Sequence, residues 1–356
     1  MSSTFAAAEV GNRVPIERMQ AFTSKVMQAA GVPSPRADLI ADVLVEADAR
    51  GVFSHGVTRV TPYSAEIREG VINPTAEISV IREHASTTVL DAQGAPGAVS
   101  SDEAITRAID LAQQGAAAMV CVQNGRHFGP AAHWALRAVK AGCIAFVTSS
   151  GGGHSYVLAY GSRKPALTNG PIAWAIPAGE HHPVVADMAV GFSAMGKVRV
   201  AAQTGQTIPP DVGVDRTGNP TTDPNELVWL NPFAGPKGFG LGIVMETLSG
   251  ILANAMAAVN RGPDERDKGI VGQVFAVINV EAFRPLDDFT ADVDRTLDTI
   301  HALKPSEGFD QVLAPGEPEF LKKSESVAHG IGYPDGLLEA VATTAKDYGV
   351  DPVWDV

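Results

Sequence analysis

Residues 119–142 admit few folds. Residues 119–122 form a short apolar run of strand type, and a turn signal at Asn124-Gly125 closes it. Pro130 suits the first turn of a helix, and Trp134, Leu136 and Val139 carry its apolar stripe to Gly142. Arg126, His127 and Phe128 therefore sit on a tight strand-to-helix connection, near the carboxyl end of a strand, where ligands collect in open α/β sheets. A histidine there can titrate near neutrality and move a proton. Taken alone, it reads better as a loop histidine bonded to backbone; the rest of the chain changes that balance.

The alternation continues on both sides. Helical spacing appears over residues 15–30, from Ser34-Pro35 to Gly51, and over 102–114, with a strand at 87–90 and another ending at Val147. From Thr148 to Gly240 the chain turns rich in Gly, Pro, Asn and Asp. It holds strand-like pieces at 184–190 and 197–202 and no long helix before Lys237. So much turn chemistry predicts a binding domain built of strands and loops. A long apolar helix over 239–259 follows, then a strand over 273–280, a helix over 288–303 and a short one near 337–345.

Several function classes are disfavoured. The 356 residues carry a net charge of −13 without a basic block, which argues against nucleic-acid binding while leaving room for a few Arg and Lys to hold a small carboxylate. No run of 18 apolar residues exists and residues 1–10 do not read as a signal peptide, so the expectation is a soluble, cytoplasmic protein without a membrane partner. Cys121 and Cys143 both fall in apolar strand-like runs and read as reduced, buried thiols. There is no Cys pair at ligand spacing and no His-Glu-x-x-His, and adjacent His181 and His182 read as a polar turn, so no metal is expected. Gly-x-Ser-x-Gly is missing as well. Gly191 to Lys197 begins like a phosphate loop, but Val198 stands where a magnesium-binding hydroxyl belongs. Gly-x-Gly-x-x-Gly fails everywhere, which argues against a standard Rossmann fold despite the alternation.

Small polar clusters remain. His55 lies in Ser54-His-Gly56, Arg59 follows four residues later and Tyr63 one further turn on, so a resumed helix would put all three on one face. A guanidinium beside an imidazole suits a 2-oxo or 2-hydroxy acid, whose carboxylate it can grip in a bidentate fork; a solvated Arg and a capping His would look the same. Asp187 interrupts an apolar strand, which is costly unless the carboxylate is paired or used. Lys237 opens a helix after Gly235-Pro236, a sensible place to meet phosphate or ribose.

In series, Ser54-His-Gly-Val-Thr-Arg59, His127-Phe-Gly129, Thr168-Asn169, Asp187-Met-Ala189, Gly196-Lys197, Thr221-Thr-Asp-Pro224, Gly235-Pro-Lys-Gly-Phe-Gly-Leu241 and Pro315-Gly-Glu317 resemble the malate/L-lactate dehydrogenase family of the second, non-Rossmann type. That family includes ureidoglycolate and sulfolactate dehydrogenases, 2,3-diketo-L-gulonate reductase and piperideine-2-carboxylate reductases. The resemblance implies an oxidoreductase moving a hydride between NAD or NADP and a 2-hydroxy acid/2-oxo acid pair. A cyclic-imine carboxylate reductase and a non-catalytic nucleotide- or acid-binding relative stay open beside it. It also implies a mixed-sheet α/β fold whose NAD(P)-binding domain lacks the Rossmann fingerprint, with a helical domain made from both chain ends, and a homodimer. The corresponding division is 1–66 with 307–356, 67–126 with 288–306, and 127–287. Carried over by position, His127 is the expected acid/base with His55 close by, and Arg59 and Tyr63 hold the substrate carboxylate. Thr168, Asn169, Asp187, Met188, Ala189, Pro236, Lys237, Pro315, Gly316 and Glu317 fall on cofactor-contacting segments. The chain departs from the family at Gly170, at Val190-Gly191, over 149–154 and at Arg126.

Overall fold

The computed structural model describes residues 10–151, 153, 155–203, 205–262, 270–334 and 336–354. The chain opens with strand β1 (Val10–Val14) and helices α1 (Ile16–Ala29) and α2 (Ser34–Ala49). Phe22, Val26, Ile40 and Leu44 recur on the facing sides of these helices and are fully buried between them. Two 3-10 turns, Phe53–His55 and Val57–Arg59, then lead into α3 (Val60–Arg68). Next come β2 (Ser79–His84), β3 (Thr87–Asp91), α4 (Gly97–Gln114), β4 (Ala117–Gly125), α5 (Ala131–Lys140) and β5 (Cys143–Ser149). The loop-rich middle contributes β6 (Val157–Leu158), β7 (Pro165–Leu167), β8 (Pro171–Ile176), β9 (Val184–Ala189), α6 (Met195–Gln203), β10 (Gly213–Val214), β11 (Trp229–Leu230) and α7 (Pro236–Met245). The chain closes with β12 (Val271–Asn279), α8 (Leu286–His301), α9 (Glu317–His329), β13 (Ile331–Pro334) and α10 (Leu337–Asp347).

A seven-stranded mixed sheet runs β2-β3-β4-β12-β5-β8-β9. Only β3 and β4 pair in parallel, with α4 as the crossover between them; the other pairs are antiparallel. Strand β12 lies between β4 and β5, with Val274 facing Cys121 on one side and Thr148 on the other. Being covered on both faces, β12 is apolar almost throughout, and Val274, Phe275 and Val277 are fully buried. A second sheet, β10-β11-β6-β7, has its own core of Val157, Leu167, Val190, Leu230 and Met245. The two ends of the chain meet: β1 pairs antiparallel with β13, Val14 opposite Ile331, and Trp354 packs edge-on against Phe22 at 4.9 Å.

Two expectations change. Residues 197–202, strand-like in pattern, lie in helix α6, because Val198 and Ala201, three apart, both face the second core at 1% and 0% exposure. The long apolar helix over 239–259 stops being α-helical at Met245 and passes through a π-helical turn, Glu246–Leu252. Buried Glu246 anchors that turn, accepting the Thr168 amide and hydroxyl (2.9 and 2.7 Å) and the Ala258 amide (2.9 Å).

Helix α4 begins against the 126–128 connection. A Cβ on Gly97 would fall 2.2 Å from the carbonyl oxygen of His127 and 2.4 Å from that of Arg126. Gly97→Ala is therefore expected to push that connection aside, at a cost of about 1–3 kcal/mol. Thermal unfolding checks it; an unchanged midpoint would show that the contact yields freely.

Candidate active site

The loop after β4 is held on every side. Gln273 Nε2 donates to the Arg126 carbonyl at 2.9 Å, while its amide oxygen accepts the Ser100 and Ser101 hydroxyls at 3.3 and 3.2 Å. Trp134 Nε1, one turn into α5, donates to the Phe128 carbonyl at 2.9 Å, and the Phe128 ring packs edge-on against Phe275. Gly129 turns the chain with φ of 78°, a backbone conformation that favours glycine. These anchors fix where His127 stands.

The helical lobe supplies its neighbours. Tyr63 Oη, on α3, lies 2.5 Å from His127 Nδ1 and 3.3 Å from the His127 carbonyl oxygen. The His55 ring stacks on the His127 ring with centroids 5.3 Å apart and planes 28° from parallel, and Ser54 Oγ lies 2.9 Å from His55 Nδ1. Arg59 Nε donates to the Ser54 carbonyl at 2.7 Å, and its terminal nitrogens have no hydrogen-bond acceptor among the described residues. Two 3-10 turns broken at Gly56, rather than one resumed helix, carry His55 and Arg59, and Tyr63 follows one turn into α3. The Tyr63 hydroxyl, expected beside Arg59 at the substrate carboxylate, lies against His127.

Asp48 lies beneath this turn. Its Oδ2 accepts the Val57 amide and the Tyr333 hydroxyl, both at 3.0 Å, and its Oδ1 has no partner among the described residues. Gly56 is what admits it: a Cβ there would coincide with the carboxyl group. Burial pushes the Asp48 carboxyl up to about 8, against the opposing pull of the two donors.

The imidazoles shift the other way. Burial pushes His55 down to about 4, and the Arg59 guanidinium adds to the effect. Burial takes His127 well below the ordinary imidazole range, with Arg59 and His55 adding to it. Burial also raises Tyr63 far above the usual phenol range, so it stays neutral. His55, Arg59 and His127 nonetheless keep part of their surface open to solvent.

The expected cofactor segments gather along β9, the sheet edge. Asp187 Oδ2 accepts the Ala132 amide at 3.0 Å, placing the carboxylate at the start of α5, next to the His127 loop. Its carboxyl is crowded by protein although the residue is exposed; burial raises it to about 6, while the Ala132 amide and Arg50 oppose the rise. Met188 is exposed and Ala189 half-buried. Thr168 is buried with its hydroxyl on Glu246, so it braces the π-helical turn, while Asn169 Oδ1 accepts the Gly191 amide at 2.6 Å and braces the loop after β9. Pro236 and Lys237 are exposed in the first turn of α7, which packs through Gly242 against Leu167 and Val190. At the far end of β9, the Val185 amide donates to the Pro315 carbonyl at 2.8 Å and Gly316 sits against Val185. Glu317 is buried, accepting the Ala314 amide at 2.7 Å and pairing with His301 at 2.9 Å.

The family model for malate/L-lactate dehydrogenase matches residues 14–342. The chain belongs to that family. The dehydrogenase is 31% identical over 343 residues to the L-sulfolactate dehydrogenase of Methanothermobacter thermautotrophicus, covering 95% of this chain and 98% of that one. It is 32% identical over 329 residues to the ureidoglycolate dehydrogenase (NAD(+)) of Escherichia coli K12, covering 92% and 93%. The solved malate dehydrogenase of Entamoeba histolytica superposes with a TM-score of 0.90 at 28% identity, over 96% of this chain and 99% of that one. As a family member, the protein is a hydroxy acid dehydrogenase of mixed α/β fold that works with a nicotinamide cofactor.

Sequence reasoning missed three supports of the dehydrogenase's cleft: Asp48, Gln273 and Gly97. It also missed that Asp42 and Glu46 of α2 meet His133 of α5, with Glu46 within 2.7 Å of both His133 and Lys323. No helix among the described residues is long and apolar enough to cross a membrane.

Asp48 and His55 make stability depend on pH in opposite directions. The unfolded chain binds a proton at residue 55 before the folded one does, so this contribution falls as pH drops from about 6.5 to about 4. At residue 48 the folded chain binds the proton more tightly, so stability is lost as pH rises from about 3.8 to about 8. His55→Gln should flatten the acid limb and Asp48→Asn the alkaline limb of unfolding midpoint against pH. Parallel shifts over the whole range would remove titration as the cause.

Proposed function

We propose that this dehydrogenase interconverts a 2-hydroxy acid and its 2-oxo acid with NAD or NADP, His127 serving as the proton acceptor and donor. The observation that supports it most is the convergence of an imidazole contacted at Nδ1 by Tyr63, and pushed by burial below the ordinary imidazole range, with a guanidinium whose terminal nitrogens are uncommitted among the described residues. When bound, the nicotinamide supplies or takes up the hydride. His127 receives the hydroxyl proton as C2 becomes a carbonyl, and returns it in the reverse direction, since microscopic reversibility gives both tasks to one group. Arg59 grips the carboxylate and fixes C2 at near-attack distance. His55 stacks on the His127 ring and, with Arg59, helps keep it uncharged.

The segments along β9 are the proposed cofactor cradle: Asp187 to Ala189 on the strand, Thr168-Asn169 beside it, Pro315 to Glu317 at its far end, and the first turn of α7. Exposed Lys237 pairs with no carboxylate among the described residues, and the free amides of a helix's first turn favour phosphate. Buried, unpaired thiols at Cys121 and Cys143 fit a reducing cytoplasm.

His127→Ala should lower kcat by about 10²–10⁴-fold while nicotinamide fluorescence still reports cofactor binding, and Arg59→Ala should chiefly raise KM for the acid. Assays against malate, lactate, sulfolactate, ureidoglycolate and piperideine-2-carboxylate give the substrate in the same series. Near-normal turnover without the residue-127 imidazole would end the proposal.

A homodimer is part of the reading. Leu241, Val244, Ile251, Leu252 and Val259 are all exposed on the segment from α7 through the π-helical turn and beyond, an apolar stretch that a second chain would cover. Sedimentation should give the mass of two chains, and Ile251→Glu should give one. A monomeric parent protein would refute it.

A further inference from the structure

Nδ1 of His127 has two neighbours of opposite consequence. The Gly129 amide can only donate, and it lies at 3.4 Å, so it favours an unprotonated Nδ1. Tyr63 Oη lies much closer, at 2.5 Å, and a hydroxyl both donates and accepts. What decides its role is where its own proton goes. A second acceptor is within reach, because the His127 carbonyl oxygen lies 3.3 Å from the same Oη. With the hydroxyl proton on that carbonyl, an oxygen lone pair is free to accept Nδ1–H.

We propose that Tyr63 is a positioning residue that holds His127 in the Nδ1–H tautomer, so that the Nε2 lone pair is the one presented to the cleft. This rests on His127 being the acid/base, as proposed above. In the opposite arrangement, with Tyr63 donating to Nδ1, the ring proton sits on Nε2 and the ring has no lone pair with which to receive a substrate proton. In the arrangement proposed, the substrate O–H bond breaks, an Nε2–H bond forms, and the ring becomes an imidazolium whose Nδ1–H still rests on Tyr63 Oη. Reversal returns the proton from Nε2. No proton leaves the Tyr63–His127 contact in either direction, so it serves oxidation and reduction alike.

The phenol also suits the charges around it. Arg59 and His55 are the titratable groups facing the His127 ring, and Glu66 and Arg59 are those near Tyr63. A carboxylate in the place of Tyr63 would pair with Arg59 and withdraw it from the substrate. A neutral hydroxyl orients the ring and leaves the guanidinium available.

The test uses the full chain with 15N-labelled histidine, at about pH 8, above the ordinary imidazole range. The ring-nitrogen shifts of His127, assigned by their loss in His127→Gln, distinguish the two tautomers without substrate or cofactor. The wild-type protein should show Nδ1–H. Tyr63→Phe keeps the ring and leaves the Gly129 amide as the remaining partner of Nδ1, so it should convert the signal to Nε2–H. It should also lower kcat roughly 10²-fold with KM for the acid changed less than about twofold. An Nε2–H signal in the wild type overturns the proposal whether or not the variant folds, and so does an unchanged tautomer in a folded variant. A raised KM at unchanged kcat would return Tyr63 to the substrate carboxylate. Should His127→Ala retain turnover, the acid/base reading falls, and the tautomer measurement still reports independently on Tyr63.

Discussion

An imidazole that must stay uncharged beside a guanidinium is the constraint around which this cleft is built. On the proposed reading Arg59 holds a carboxylate, and His127 keeps a lone pair beside that guanidinium, whose terminal nitrogens have no acceptor among the described residues. Both demands are met by withholding negative charge. The group on Nδ1 is a phenol rather than a carboxylate, and the ring stacked on His127 is another imidazole, itself pushed down by burial and Arg59. Glu66, an acid that acts on Tyr63 and Arg59, is raised by burial against the pull of Arg126 and Arg59. An ionised acid in contact with His127 would raise its proton affinity and tie up Arg59 in one step.

Sheet topology places this arrangement without the glycine-rich turn of a dinucleotide fold. In a Rossmann fold the phosphate site is the loop after a parallel strand, closed by glycines. Here β12 runs antiparallel between β4 and β5, and the loop leaving β4 is closed by Gln273 of that inserted strand, by Trp134 and by the first turn of α4. The segments expected to meet cofactor sit instead along an edge strand, β9, tied to it by Val190 and Gly191 on one side and Pro315 on the other. Edge strands leave backbone groups unpaired and need covering. The Pro315 carbonyl and the Asn169 side chain do part of that here.

Local signals in the chain were informative where one face of an element carries the information. The strand, turn and helix of residues 117–140 follow directly from periodicity and turn chemistry, whereas His55 and Arg59 lie on two 3-10 turns that helical spacing does not describe. The α6 helix was hidden because Val198, Arg199 and Val200 alternate like a strand, and only the second core selects Val198 and Ala201 as the buried pair. Asp48 was visible as an acid one turn after Leu44, on the apolar side of α2, but the residues that satisfy it come from Val57 and from Tyr333 near the other end of the chain. Gly97 and Gly56 read as ordinary glycines until the backbone or carboxyl group that needs their missing Cβ is in place. Tertiary proximity of that kind has no sequence period.

The position of Asp48 extends the same logic to the floor of the site. Its Oδ2 gathers the first amide of the second 3-10 turn and the hydroxyl of a β13 tyrosine, so the turn that carries His55 and Arg59 is tied to both ends of the chain at once. An apolar residue would leave the Val57 amide and the Tyr333 hydroxyl buried and unpaired, which costs more than the pair contributes. An ionised carboxylate would satisfy them but set a full negative charge directly below His55. A carboxyl that keeps its proton to about pH 8 accepts both hydrogen bonds and adds no charge. The bonding is that of a carboxyl oxygen and the electrostatics are those of a group raised toward neutrality by burial, which fits the proposed use of Arg59 for a substrate carboxylate.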